Sequence, residues 1–143
     1  MRVVAFRPEH VAALTNYGGQ EHLVGHVDGA ELGELAEHGV AFTGMAGDRV
    51  IACGGLIEAT KFRATAWALM ARTTPQQFVA VHRAVWRVIH GCDYVRVEAY
   101  VDHKFPAAMR WVAMLGFRLE RVYTPLFFPD GSGASQWVLY PKG

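Results

Sequence analysis

Apolar and polar positions divide the chain into segments of two kinds. Residues 94–101 alternate, with Val95, Val97 and Ala99 on one face and Arg96, Glu98 and Tyr100 on the other. That two-residue period predicts a strand buried on one side. Residues 105–115 place apolar side chains at Phe105, Ala108, Met109, Val112 and Leu115, the spacing of one helical face. Pro106 suits the first turn of that helix, where its missing N–H costs nothing. Gly116 follows the last apolar position, where helices enter a left-handed cap. Residues 117–123 extend again.

The same signals organise the rest of the chain. Residues 2–6 form a short apolar strand, and Pro8 and Glu9 open a helix running to Leu14. Asn16-Tyr17-Gly18-Gly19 stops it, and residues 20–28 have no period. Residues 30–38 predict a second amphipathic helix, closed by Gly39. Residues 40–46 and 50–57 are strands joined at Gly47-Asp48, a two-residue hairpin turn. Residues 64–71 are a further strand. Thr73-Thr74-Pro75 then opens a long helix to His90, with a hydroxyl cap followed by Pro at the first helical position. Its buried stripe reads Phe78, Val81, His82, Val85, Trp86 and Ile89. Residues 124–134 form a loop with Pro125, Pro129 and Asp130-Gly131, and residues 136–140 are the last strand.

The order β-α-α-β-β-β-α-β-α-β-β predicts an α/β fold, a mixed sheet with helices on its faces. The strand–helix–strand unit over 64–100 predicts a right-handed, parallel crossover. At 143 residues the chain suits one domain, 1–143, with one core.

Composition narrows the class. Apolar residues make up 52% and charged residues 19%, so the chain is globular. A net charge of +1 gives no reason to expect nucleic acid or an anionic membrane as partner. No apolar run is long enough to span a bilayer, and the N-terminus lacks the pattern of a signal peptide. A cytoplasmic protein is expected, with Cys53 and Cys92 as reduced thiols. His22 and His26 have the spacing of two helical metal ligands, but Gly25 between them and the lack of a third ligand argue against a metal. Trp111 and Met114 lie off their helix's main stripe, so a second side of that helix should be covered by the long helix, a loop or a second subunit. Leu126-Phe127-Phe128 reads as a hydrophobic lip over a substrate groove, as a partner contact or as a loop folded onto the core.

Two places could carry chemistry. Open α/β sheets bind ligands beyond the carboxyl ends of parallel strands, and a helix N-terminus there attracts phosphate. The strand 64–71 feeding the helix start at Thr73–Pro75 is such a place, with Arg72 adding charge. Near the end of the next strand stand Glu98, Tyr100, Asp102 and His103.

The stretch YVRVEAYVDHKFPAAMRWVAMLGFRLE resembles the C-terminal half of the GNAT superfamily of acyl-CoA-dependent N-acetyltransferases, where a helix ends in Leu-Gly-Phe between two strands. The upstream elements follow the same order, so the resemblance covers most of the chain. Its wording is similar to small phage-encoded members, including internal virion proteins of podophages. The resemblance implies acetyl-CoA as co-substrate, with contacts from Leu69, Met70, Arg72, Thr73, Thr74, Gln76 and Gln77. It implies a small-molecule or protein amine as acceptor and a place in the host cytoplasm or virion. A homodimer or a host or virion protein is a further partner to consider.

The chain also departs from that pattern. The phosphate loop, Ala71 to Gln77, has no glycine, and Pro75 removes a donor. Val112 stands where many relatives carry a tyrosine acid, and Phe105 where many carry an asparagine. The strand 64–71 lacks the usual glutamate. Glu98 or His103 is left as base, directly or through water, and Tyr100 as acid. Two functions are therefore expected in competition. One is an N-acyltransferase; the other is a GNAT-fold protein without catalysis, used as a virion or host-interaction component.

Overall fold

The computed structural model describes residues 1–15, 33–34 and 36–143. The predicted helix over 30–38 falls largely outside these residues, and His22 and His26 fall wholly outside them. The elements are β1 (Arg2–Ala5), α1 (Glu9–Thr15), β2 (Gly39–Ala46), β3 (Arg49–Glu58), β4 (Arg63–Met70), α2 (Pro75–Gly91), β5 (Arg96–Asp102), α3 (Pro106–Met114), β6 (Arg118–Thr124) and β7 (Ala134–Leu139). The strands form one sheet in the order β1-β2-β3-β4-β5-β7-β6. Among the described residues only β4 and β5 run parallel, across the α2 crossover, and the other neighbouring pairs are antiparallel. The mixed α/β architecture and the parallel pair are those expected from the hydrophobic pattern.

The two faces of the sheet bury different clusters. On one, Leu56, Ala64, Val97, Ala99 and Val101 pack with Ile89 of α2, Val112 of α3, and Leu115 and Phe117. On the other, Cys53, Leu69 and Ala71 pack with Val11 and Leu14 of α1. Ala64 and Leu69 lie an odd number of residues apart on β4, so their side chains take opposite faces. The sheet is therefore sandwiched between α1 and the α2/α3 layer.

Local chemistry places the ends of these elements. Thr74 caps α2: its Oγ1 accepts the Gln77 amide at 3.2 Å, and Gln77 Oε1 accepts the Thr74 amide at 2.9 Å. Gly47 opens the β2–β3 turn at φ +61°. Gly116 sits at φ +99° after α3, and a Cβ there would lie 3.4 Å from the His90 ring. His90 Nε2 donates to the Leu115 carbonyl at 2.9 Å, which ties the end of α2 to the end of α3.

Some expectations are corrected. Strand β5 begins at Arg96, and Val95 is 58% exposed. The Val95 and Arg96 amides both donate to the Phe62 carbonyl, so the chain joins the sheet only after this bend. Trp86 is exposed: it stacks on His90 at 3.8 Å while Val81 and Ile89 make the buried stripe of α2. Trp111 is covered by the long helix, donating from Nε1 to His82 Nδ1 at 3.1 Å and resting on Phe78, whereas Met114 remains exposed.

Candidate active site

The parallel ladder between β4 and β5 is short. It runs through Arg63↔Arg96, Ala64↔Val97, Thr65↔Glu98 and Ala66↔Ala99 and then stops. Beyond it, Trp67 to Met70 stay paired with β3, and Tyr100 to Asp102 stay paired with β7. Each strand is held by its outer neighbour, so the gap between them is part of the sheet's construction. It leaves one edge of each strand without a strand partner.

A cavity of about 340 Å³ occupies this gap. Its walls include Trp67, Ala68, Leu69 and Met70 from β4, Tyr100 and Asp102 from β5, and Val112 from α3. The walls include side chains from both faces of the sheet, such as Ala66 from one and Tyr100 from the other. The opening thus connects the α2/α3 side with the α1 side. Small residues keep it open: Gly54, Ala66, Ala68 and Ala99 all border it.

Of the residues expected at the phosphate loop, Leu69 and Met70 line the cavity. Arg72, Thr73, Thr74, Gln76 and Gln77 follow at the start of α2, past the carboxyl end of β4. The capping box uses the amides of Thr74 and Gln77, and Pro75 has none. Helix geometry denies the Gln76 amide an intrahelical acceptor. Arg72 is exposed, and Arg49 at the β2–β3 turn donates from Nη2 to its carbonyl at 3.3 Å. Two guanidinium groups therefore stand at this end of the sheet; the sequence pointed to one.

Of the three residues expected to be catalytic, Tyr100 lines the cavity and Glu98 and His103 do not. Glu98 is buried beneath two arginines. Its Oε1 accepts from Arg63 at 2.7 Å, and its Oε2 from Arg96 at 3.0 Å and Gln136 at 3.3 Å. Burial pushes its carboxyl up, but the bonds from Arg63 and Arg96 prevail and hold it below the ordinary carboxylate range. Arg96 also bridges to Glu120. Glu98 is thus a neutralised anion, consistent with the ion-pair role its spacing from Arg96 suggests. His103 is exposed, lies off the cavity wall, and meets Tyr123 edge-on at 5.0 Å.

Tyr100 does line the cavity. Burial, then the negative charge of Glu98, raises its hydroxyl above the ordinary range, so it keeps its proton at neutral pH. Phe127 stacks on its ring at 4.6 Å. The β6–β7 loop therefore folds back onto the site, while Leu126 stays 81% exposed.

Asp102 is one of the four groups expected near the end of β5, whereas Trp67 and Thr43 are marked by no local pattern. Asp102 is 1% exposed and lines the cavity. Trp67 lines it from β4, and its indole N–H is buried without a hydrogen-bond partner among the described residues. Its one sequence signal is an aromatic set in a strand of alanines. Cys53 and Thr43 also border the cavity, and Thr43 Oγ1 bonds His10 Nδ1 at 2.7 Å. Burial pushes the Cys53 thiol up to about 11, which keeps it protonated and unreactive at neutral pH. Among the described residues no cluster of metal-ligating side chains occurs, and no helix is long and apolar enough to cross a membrane.

Comparison with known proteins separates fold from sequence. No family model matches the chain, and no curated protein matches its sequence. Solved structures do match. An N-acetyltransferase from Staphylococcus aureus Mu50 superposes with a TM-score of 0.74 at 8% identity, over 99% of this chain and 98% of that one. Spermidine N-acetyltransferase from Vibrio cholerae, in complex with CoA and spermine, matches at 0.67 and 14% identity, over 99% and 95%. Aminoglycoside 6'-acetyltransferase type Ii matches at 0.71 and 12%, over 99% and 97%. Across nearly its whole length, the chain has the fold of the GNAT N-acetyltransferases.

Proposed function

We propose that the protein is an acyl-CoA-dependent N-acyltransferase that transfers an acetyl group to a primary amine. The observation that carries this reading is the gap beyond Ala66 and Ala99, which opens beside the start of α2. An extended thioester arm fits an unpaired strand edge, because that edge still has backbone donors and acceptors to satisfy. The edge from Trp67 to Met70 would hold the arm. The α2 start, with Arg72, Thr73, Thr74, Gln76 and Gln77, would face the pyrophosphate, where the helix dipole favours negative charge. Arg49 adds charge from the neighbouring turn.

In the reaction the acceptor's ammonium first gives a proton to water. The neutral nitrogen then forms a C–N bond at the acyl carbon as the C–S bond breaks, the nitrogen sheds a second proton, and the departing thiolate takes one. Tyr100 keeps its proton at neutral pH and stands on the cavity wall, so it is the acid this reading assigns. Glu98, already ion-paired, sets the charge around Tyr100 and is a weak proton acceptor. His103 could serve as base only through intervening water, since it lies off the wall.

A second reading has one observation in its favour. The capping box and Pro75 consume most of the donors at the α2 start. On that reading the fold serves as an interaction component, in a virion or against a host protein, without catalysis.

Calorimetry with acetyl-CoA separates the two. Binding, with a rise in melting temperature, is expected; ligand at a hundred times its dissociation constant stabilises by about 2.7 kcal/mol. Thiol release on adding primary amines then tests transfer. No heat and no thermal shift at millimolar acetyl-CoA would retire the enzyme reading.

A further inference from the structure

Resting on the transferase reading, we infer that Asp102 is the anchor for the acceptor's ammonium group, and that the acceptor is a cationic amine with an apolar or aromatic body. Asp102 ends β5 just past the last rung of the β4–β5 ladder, is 1% exposed and lines the cavity. Its two-residue offset puts it on the same sheet face as Tyr100.

The electrostatics of this end of the molecule single it out. Glu98 has Arg63 and Arg96, Glu120 has Arg96, and Asp130 has Lys104 at 3.5 Å. Asp102 has no lysine or arginine within ion-pair distance among the described residues. The partners of Asp102 are neutral: the Lys104 amide on Oδ1 at 2.9 Å and, on Oδ2 at 3.3 Å, the Ser132 hydroxyl, whose one proton also faces Asp130 Oδ1 at 2.5 Å. Each oxygen keeps a lone pair. An incoming ammonium would bring a full positive charge and charge-assisted hydrogen bonds to a carboxylate held so far by neutral donors.

The surroundings fit the rest of such a ligand. Tyr100 and Trp67 line the same cavity, and aromatic walls accept both an apolar body and a cation. The β6–β7 loop holds this arrangement from outside, through Ser132 on Asp102 and Phe127 on Tyr100. Asp102 also shapes the turn into α3, since its carbonyl accepts the Phe105 amide at 2.9 Å. The test must therefore separate charge from shape.

Asp102→Asn does so, because the amide keeps an acceptor for Lys104. The probes are 2-phenylethylammonium chloride and its neutral counterpart 2-phenylethanol, titrated by calorimetry into the protein with and without saturating CoA. The wild type should bind the ammonium at least tenfold more tightly than the alcohol. Asp102→Asn should lose that preference while its melting temperature and acetyl-CoA affinity stay unchanged. Equal affinity of the wild type for the two probes, or no binding of the ammonium, overturns the inference, and that comparison needs no variant to fold. An Asp102→Asn protein that folds and keeps the preference overturns it too. If the ammonium binds through Asp102 while acetyl-CoA does not bind, the anchor stands and the transferase reading fails.

Discussion

Ala66 and Ala99 face each other as the last rung between β4 and β5; at the next position Trp67 pairs with Gly55 and Tyr100 with Gln136. The sheet parts there because both strands continue along partners on their outer sides. Any arm lying in the gap must pass the small side chains that follow Ala66. Ala68→Phe should fill this space and weaken acetyl-CoA binding by tenfold or more, read by calorimetry. Unchanged affinity would place the cofactor elsewhere.

Arg72 is exposed at the mouth of the same gap. Arg72→Glu replaces an attractive charge with a repulsive one where a pyrophosphate would sit. Acetyl-CoA affinity should fall by about tenfold or more, equivalent to about 1.4 kcal/mol. The loss should shrink as salt rises, since exposed charges are screened over a Debye length of about 10 Å at 0.1 M. The melting temperature should hold within a few degrees. An affinity equal to the wild type's would show that this loop does not meet the phosphates.

Glu98 makes stability depend on pH in a defined direction. Its carboxyl is held below the ordinary range in the folded state, net of burial, by Arg63 and Arg96. The stabilisation is therefore complete above the unfolded carboxyl's pKa of about 4.3 and is lost as pH falls through the folded value. Glu98→Gln should cost about 1.5–3 kcal/mol at pH 7, the range for charge-assisted hydrogen bonds. The difference from wild type should narrow below about pH 4. A difference that is constant between pH 7 and pH 3 in urea unfolding would show that the arginines do not stabilise the ionised form.

Phe117 closes the Leu-Gly-Phe segment and is 5% exposed, in one cluster with Val97, Val112 and Leu139. Phe117→Ala should cost about 3–5 kcal/mol in urea unfolding, through lost burial and the cavity left behind. A loss below about 1 kcal/mol would mean that the end of α3 repacks freely.

The sequence by itself determined what depends on near neighbours along the chain. The Thr74–Pro75 cap, the Gly47-Asp48 turn and the Gly116 stop were legible because each is set by a few consecutive residues. The alternation over 94–101 and the helical stripe ending at Leu115 named a strand of the sheet and its cover, although the strand itself begins only at Arg96. Parallel pairing of β4 and β5 followed from the helix between them, since a crossover of that kind has one preferred hand. Those readings were enough for a mixed sheet with one parallel pair under its helices.

Only the tertiary structure decided the site. The pattern showed Arg96 beside Glu98, but Arg63 reaches that carboxylate from 35 positions away and Gln136 from 38. With those partners Glu98 becomes a paired anion. Ser132 meets Asp102 across 30 positions, and Phe127 covers Tyr100 only because the β6–β7 loop folds back. His103, one residue past Asp102, turns outward to Tyr123. The physical reason is common to all of these. A period fixes which face a residue takes, while the charge it meets there comes from strands and loops that the sheet order brings alongside.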